Sequence, residues 1–244
     1  VFETHGTFTV TCKVSHRTSA GVLHVGSANL TITATNPDVV FASNTLYVSQ
    51  TGVPVAGQDG IPAGAAVQQL TSWTSLRNLA QTYKRILLKR GDTWDINGEA
   101  GFFPGEVGPG PCMIGAYGTG NRPVISVSVG GALRFNTGVS DWRVADLDIT
   151  SPDTVFQEFG RGITAFGATD ILLLRTDIKR TGRILLEGAD GAGLYTSDCV
   201  IGPASAQGTA SICVYTAGTD RIGLLGSRIT GSRDHGIRLS GTRS

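Results

Sequence analysis

Between Gly131 and Ser240 short apolar strands recur, each closed by a turn rich in Gly and Asp. They fall into two series. One comprises "GALRF", "GITAF", "RILLE", "SICVY" and "GIRLS", beginning at Gly131, Gly162, Arg183, Ser211 and Gly236, with steps of 31, 21, 28 and 25 residues. The other comprises the eight-residue blocks "WRVADLDI", "ILLLRTDI", "AGLYTSDC" and "IGLLGSRI", beginning at Trp142, Ile171, Ala192 and Ile222. A roughly constant unit with loops of variable length is the signature of a solenoid. One unit cannot bury its own apolar face, so neighbours stack into a continuous core. Short strands without a helical period exclude leucine-rich and helical repeats. Sandwich strands would be equally short, but they would not explain the aligned blocks. The expected class is all-β, a parallel β-helix. The blocks place Val144, Ile149, Leu172, Leu174, Ile178, Leu194, Cys199, Cys213, Leu224 and Ile229 in its core.

Composition supports a turn-rich globular chain. Gly occurs 34 times in 244 residues, well above an ordinary share of about 7%, yet 40% of residues are hydrophobic. Charged residues make up 16% and the net charge is +1, which argues against a nucleic-acid binder with its basic stripe. No apolar run approaches the roughly 18 residues of a membrane span. Cys12, Cys112, Cys199 and Cys213 show no metal-ligand spacing. Cys12, Cys199 and Cys213 fall in strand patterns and read as buried thiols.

The first 38 residues differ. "THGTFTVTCKVSH" alternates, with Phe8, Val10, Cys12 and Val14 on one side, and "SANLTITATN" repeats the pattern with Leu30 and Ile32. Both read as half-buried antiparallel strands. "FETHGTFTVTCKV" resembles the penultimate strand of a polycystic-kidney-disease-type (PKD) immunoglobulin-like domain. The resemblance implies the C-terminal strands of such a module over residues 1–38, a spacer or adhesive unit without catalytic residues. Two strands alone are marginal in water, so they need a partner layer.

Residues 39–244 then form the second expected domain. "NTLYVSQTG" reads as a strand and "AAVQQLTSWTSLRNLAQTY" as a helix, with Val67, Leu70, Trp73, Leu76, Ala80 and Tyr83 near one face. "KRILLKRGDTW" and "MIGAYGTGNRPVI" follow. Together these pieces resemble the opening segment of right-handed parallel β-helix proteins of the carbohydrate-active type, among them lyases, epimerases, hydrolases and tail spikes. The resemblance implies a capping helix, with Trp73 or Leu76 plugging the end of the solenoid, and a β-helix that continues beyond the C-terminal end of this sequence. It also implies an extracellular, cell-surface or virion setting.

Candidate chemistry lies on the second series. Asp148, Asp177, Asp198 and Arg228 each precede an inward Ile149, Ile178, Cys199 or Ile229, so alternation turns them outward. Carboxylates stacked about 4.8 Å apart repel unless a cation or base lies between them, and Lys179, Arg180 and Arg228 are near in sequence. Three readings stand. Asp148, Asp177 and Asp198 supply oxygen ligands for Ca²⁺, or acid/base carboxylates for sugar chemistry, or a solvated ladder in which Asp198 pairs with Arg228. "SRDHGIRLSGTR" adds His235, placed by Asp234 among several Arg as a proton-transfer candidate or a plain turn residue. A further column, Asp141, Asp170, Asp190 and Asp220, closes "GVSD", "GATD", "GAD" and "GTD", where Asp caps its own turn and Gly permits positive φ. The aromatics that stack on sugar rings if exposed are Phe102, Phe103, Tyr117, Phe156, Phe159 and Tyr215.

Two functions follow. The first is a surface or secreted β-helix that binds or modifies an acidic polysaccharide, by lyase, epimerase or hydrolase chemistry if it is an enzyme. The second is a non-catalytic rod, with the immunoglobulin-like piece as spacer. No nucleotide-binding, metalloprotease or nucleophile-elbow motif is present.

Overall fold

The computed structural model describes residues 5–96, 110–128, 130–152, 160–204 and 211–241. Contacts divide the chain into two compact units, Val1–Ala42 and Ser43–Ser244. The first is an antiparallel hairpin of β1 (Gly6–Arg17) and β2 (Leu23–Ala34). Its turn is closed by Val22 O accepting from Thr18 N and Thr18 O accepting from Gly21 N, both at 2.9 Å. A single helical turn, α1 (Pro37–Val40), follows, and its Asn36 N-cap accepts from Asp38 N at 2.8 Å. The expected alternation is present, but both faces of the ribbon are largely exposed. Cys12 is accordingly exposed rather than buried, because two strands make one layer and no core.

The second unit is built from three sheets of parallel strands. Sheet I holds β3 (Thr45–Ser49), β4 (Ala66–Gln69), β5 (Arg85–Lys89), β7 (Cys112–Tyr117), β10 (Ser140–Ala145), β13 (Thr169–Leu174), β16 (Ala192–Ser197) and β19 (Ile222–Leu225). Sheet II holds β6 (Thr93–Ile96), β8 (Val124–Val127), β11 (Asp148–Thr150), β14 (Asp177–Lys179), β17 (Val200–Ile201) and β20 (Arg228–Ile229). Sheet III holds β9 (Gly131–Phe135), β12 (Arg161–Phe166), β15 (Ile184–Ala189), β18 (Ile212–Ala217) and β21 (His235–Ser240). From β7 onward the chain visits I, II and III in turn, five times, and each visit adds one strand to the growing edge of its sheet.

The eight-residue blocks are therefore not single strands. Each crosses from sheet I to sheet II at a corner residue, namely Asp146, Arg175, Asp198 or Gly226, with φ of 58°, 44°, 53° and 57°. One left-handed residue turns the chain, and the next, Leu147, Thr176 or Cys199, enters the core. The third block is also displaced by two residues. Ile171 faces Leu194 and Asp177 faces Val200, so the block that stacks is "LYTSDCVI". An even shift keeps the same faces, which is why Leu194 and Cys199 are still buried.

Inside the three sheets lies one apolar core, with Trp142, Val144, Ile149, Ile171, Leu173, Ile178, Leu194 and Ile201 stacked circuit on circuit. Leu172 and Leu174 are half-buried. The inward pair on β13 is Ile171 and Leu173, because strand alternation places neighbours on opposite faces. Leu224 and Ile229 are half-buried in the last described circuit, which has no strand stacked on it.

The expected long helix is shorter. Its first part forms β4, paired in parallel with β3, and only α2 (Trp73–Leu79) is helical. Val67 and Leu70 thus lie outside the helix. Trp73 and Leu76, the residues expected to plug the solenoid, are buried in the core cluster, and Trp73 meets Trp94 edge-on at 6.2 Å. Asp92, in the Gly91–Asp92 turn, is a buried strut that accepts from Gln50 N at 2.7 Å and Thr51 Oγ1 at 3.0 Å.

Register makes a direct prediction. Leu173→Ala should lower unfolding stability by about 2–5 kcal/mol, as for a filled core site. Leu172→Ala, on the outer face of the same strand, should cost well under half of that. Urea denaturation of the two variants checks it.

Candidate functional site

On sheet II, Asp148 and Asp177 are direct neighbours in adjacent circuits. The next positions in this column are Val200 and Arg228, so Asp198 does not belong to it. Asp198 sits at the corner, where its Oδ2 accepts from Ser197 Oγ at 2.9 Å. Arg228 is exposed opposite Val200. The expected Asp198–Arg228 partnership thus loses its geometric basis through the two-residue shift.

Stacked carboxylates about 4.8 Å apart destabilise each other unless cations intervene, and the structure supplies them. Lys179 Nζ lies 3.0 Å from Asp148 Oδ2, and Arg122 Nη1 lies 2.9 Å from Asp177 Oδ1. Lys179 thus reaches back one circuit, as the sequence suggested, while Arg122 comes from the loop between β7 and β8 and was not foreseen. Arg180 is held by its backbone N–H, which donates to Pro203 O at 2.9 Å, and has φ of 57°. At the neighbouring corner Arg175 binds Asp146 through two bonds of 2.9 and 2.8 Å, and Arg90 Nη2 stands 3.6 Å away. Burial alone would raise the Asp146 carboxyl. The Arg175 hydrogen bonds and the charges of Arg175, Arg90 and Arg122 outweigh it, and its pKa lies below the ordinary 3.8. Together these groups form an ion-pair ladder along the edge between sheets I and II. Among the described residues no group of three or more His, Cys, Asp or Glu side chains is arranged to hold a metal ion.

His235 is elsewhere, at the start of β21 on sheet III, with Nδ1 2.8 Å from Asp234 Oδ1. Sheet III carries a second outward row that the sequence reading missed. Arg134, Thr164, Glu187, Tyr215 and Arg238 stand in register across five strands. The guanidinium of Arg134 lies 5.4 Å from the Phe166 ring centre, and that of Arg238 lies 5.9 Å from Tyr215. Glu187, only 4% exposed, is paired with the Arg161 guanidinium. Arg161 also lines a cavity of about 360 Å³, together with Gly130, Gly131, Leu133, Arg134, Thr164 and Phe166. The signal was present in the sequence but slipped by one residue. The first series starts in register at Gly131, Arg161, Ile184, Ile212 and His235, not at Gly162, Arg183, Ser211 and Gly236.

Of the aromatics that would stack on sugar rings if exposed, Tyr117 is buried against Tyr47, with ring centres 5.3 Å apart. Burial, then Asp92 and Asp59, push its hydroxyl up to about 12. Tyr215 is half-buried. Phe102, Phe103, Phe156 and Phe159 lie outside the described residues. The column Asp141 and Asp170 is real, but its third member is Gly193. Asp190 belongs to a neighbouring corner, where it faces Gly218, and Asp220 has no left-handed φ.

Compared with known protein families, with curated proteins and with solved structures, the chain matches none.

Asp146 gives a pH prediction. Its folded pKa is depressed, so the stability it contributes is full above its unfolded value of about 3.9 and is lost as pH falls through the lower folded value. Asp146→Asn should lower Tm at neutral pH and flatten the acid limb of the Tm–pH curve below about pH 3.9. Unchanged acid dependence in the variant would contradict the ladder.

Proposed function

We propose that Ser43–Ser244 is a right-handed parallel β-helix whose third sheet binds an acidic polysaccharide at a surface-exposed or extracellular location. The right hand follows from the strong preference of parallel crossovers, and the I–II–III strand order supports the solenoid. The hairpin is read as the last strands of a PKD-type module attached to it. The observation that carries the function is the sheet III cavity. Guanidinium groups pair planar anions such as a sugar carboxylate, and an aromatic ring beside them offers a face for a pyranose. The volume suits a small ligand or part of a chain. Glu187, paired with the cavity-lining Arg161, is the carboxylate we assign as acid or base for lyase, epimerase or hydrolase chemistry. Among the described residues no helix is long and apolar enough to cross a membrane.

A second reading, the non-catalytic rod, is favoured by sheet II. There Asp148 and Asp177 are each engaged by a cation and act as a structural ladder. For Ca²⁺, the same ladder gives the test: calorimetric titration of wild type and Asp177→Asn should differ if the carboxylates hold the ion.

The deciding experiment is binding to uronic-acid polymers against neutral glucans. Arg134→Ala should weaken binding to the acidic polymers about tenfold or more, in line with the ~1.5–3 kcal/mol of a charge-assisted hydrogen bond. It should leave Tm within a degree or two, because Arg134 is exposed. Arg161→Ala is the poorer probe, since it strands a buried Glu187. Equal affinity for neutral and acidic polymers, or none for either, would leave the rod.

A further inference from the structure

We propose that Asn29 is an N-glycosylation site and that its glycan stands on the polar face of the hairpin. The inference rests on the extracellular placement proposed above and is independent of the sheet III cavity.

The chain has seven asparagines, at positions 29, 36, 44, 78, 97, 121 and 136. Asn29 is the one followed two residues later by Ser or Thr, in the run Asn29-Leu30-Thr31, and the residue between is not Pro. That is the acceptor pattern for oligosaccharide transfer to an asparagine amide, which puts a bulky hydrophilic group on the surface of a secreted protein. The pattern names the amide a transferase can read. The fold decides whether the product has a place to stand.

Asn29 and Thr31 lie on β2, where residues two apart share a face. Asn29 is paired with Thr11, and the flanking pairs on the same face are Thr9–Thr31 and Lys13–Ser27. The two faces of the ribbon are not equivalent. Thr9, Thr11, Asn29, Thr31 and Thr33 are exposed, whereas Phe8, Ile32 and Ala34 on the opposite face are half-buried. The partner layer that a two-stranded ribbon needs therefore belongs on the Phe8–Ile32 face, and the Asn29 face is left to solvent. Around Asn29 the side chains are short and polar apart from Lys13, so a sugar ring has room there.

The atoms are also disposed for it. Thr11 Oγ1 donates to Asn29 Oδ1 at 2.8 Å, a bond that uses the amide oxygen and not Nδ2, the atom that carries a glycan. In the transfer Nδ2 attacks the anomeric carbon of a lipid-pyrophosphate-linked oligosaccharide. The nitrogen–carbon bond forms, the bond from that carbon to the pyrophosphate oxygen breaks, the lipid pyrophosphate leaves, and one amide proton passes to a base of the transferase. The product keeps its carbonyl and one N–H, so the bond from Thr11 survives the modification.

The test is to send the full chain through a eukaryotic secretory route with an added leader and to weigh the secreted product. The wild type should carry one N-linked oligosaccharide. Peptide N-glycosidase should remove it and leave an aspartate in place of Asn29, found by peptide mapping. Asn29→Gln should abolish the added mass. Thr31→Ala, which keeps the amide, should abolish it as well, and Thr31→Ser should retain it. Because the face is solvent-exposed, removing the glycan should move Tm by no more than about two degrees. A secreted wild-type chain without the glycan overturns the proposal, as does a glycan that persists in Asn29→Gln. The leader fixes the route, so either result bears on Asn29 and not on the extracellular placement, which is read separately by fractionating the cells that make the chain natively.

Discussion

Each strand of the second unit is fixed by the strand one circuit before it. The ladder hydrogen bonds of a parallel sheet demand that every residue lie over its counterpart, about 4.8 Å along the stack. The consequence is columnar. A position that is inward once is inward in every circuit, so Trp142, Ile171 and Leu194 make one apolar column and Ile149, Ile178 and Ile201 another. Loops vary in length because they lie outside the ladder. The register does not vary, and the core, the corners and both outward rows inherit it.

The corners show what the repetition costs. To leave one sheet and join the next, the chain needs a residue with positive φ, and Asp and Gly tolerate that conformation best. Stacking adds a second condition, since the corner side chain of one circuit rests on the backbone of the next. A Cβ at Gly193 would come within 2.6 Å of Asp170 Oδ1, and one at Gly218 within 2.6 Å of Asp190 Oδ1. At these two steps the carboxylate takes the room that the glycine of the next circuit leaves. Columns also put like charges together, and the same geometry answers this with Lys179 and Arg122 reaching across circuits to Asp148 and Asp177.

What was legible in the sequence is what the ladder repeats many times. The parallel strands, the alternation of Ile149 and Ile178 with Asp148 and Asp177, the burial of Trp73 and Leu76, and the turn role of Asp141 and Asp170 all follow from local pattern. What was not legible is register across loops of unequal length. The blocks starting at Ile171 and Ala192 align by eye on their apolar content, yet two residues separate that alignment from the real one, and Asp198 moved from an outward column to a corner. A one-residue slip on sheet III concealed the Arg134–Arg238 row, because such a slip turns each side chain to the other face. Arg122 could not be foreseen as the partner of Asp177, since it comes from a loop two circuits earlier.

The central claim is this register, and a disulfide reads it directly. Leu172 and Tyr195 are paired on adjacent strands of sheet I, on the half-buried outer face. Strands so placed bring Cα atoms about 4.8 Å apart, within the span a disulfide bridges. In a Cys12→Ser background, Leu172→Cys with Tyr195→Cys should oxidise to a single intramolecular link that raises Tm. Leu172→Cys with Gly193→Cys, the pairing that the eye draws from the sequence blocks, should remain reduced. Linkage of the second pair in preference to the first would contradict the account.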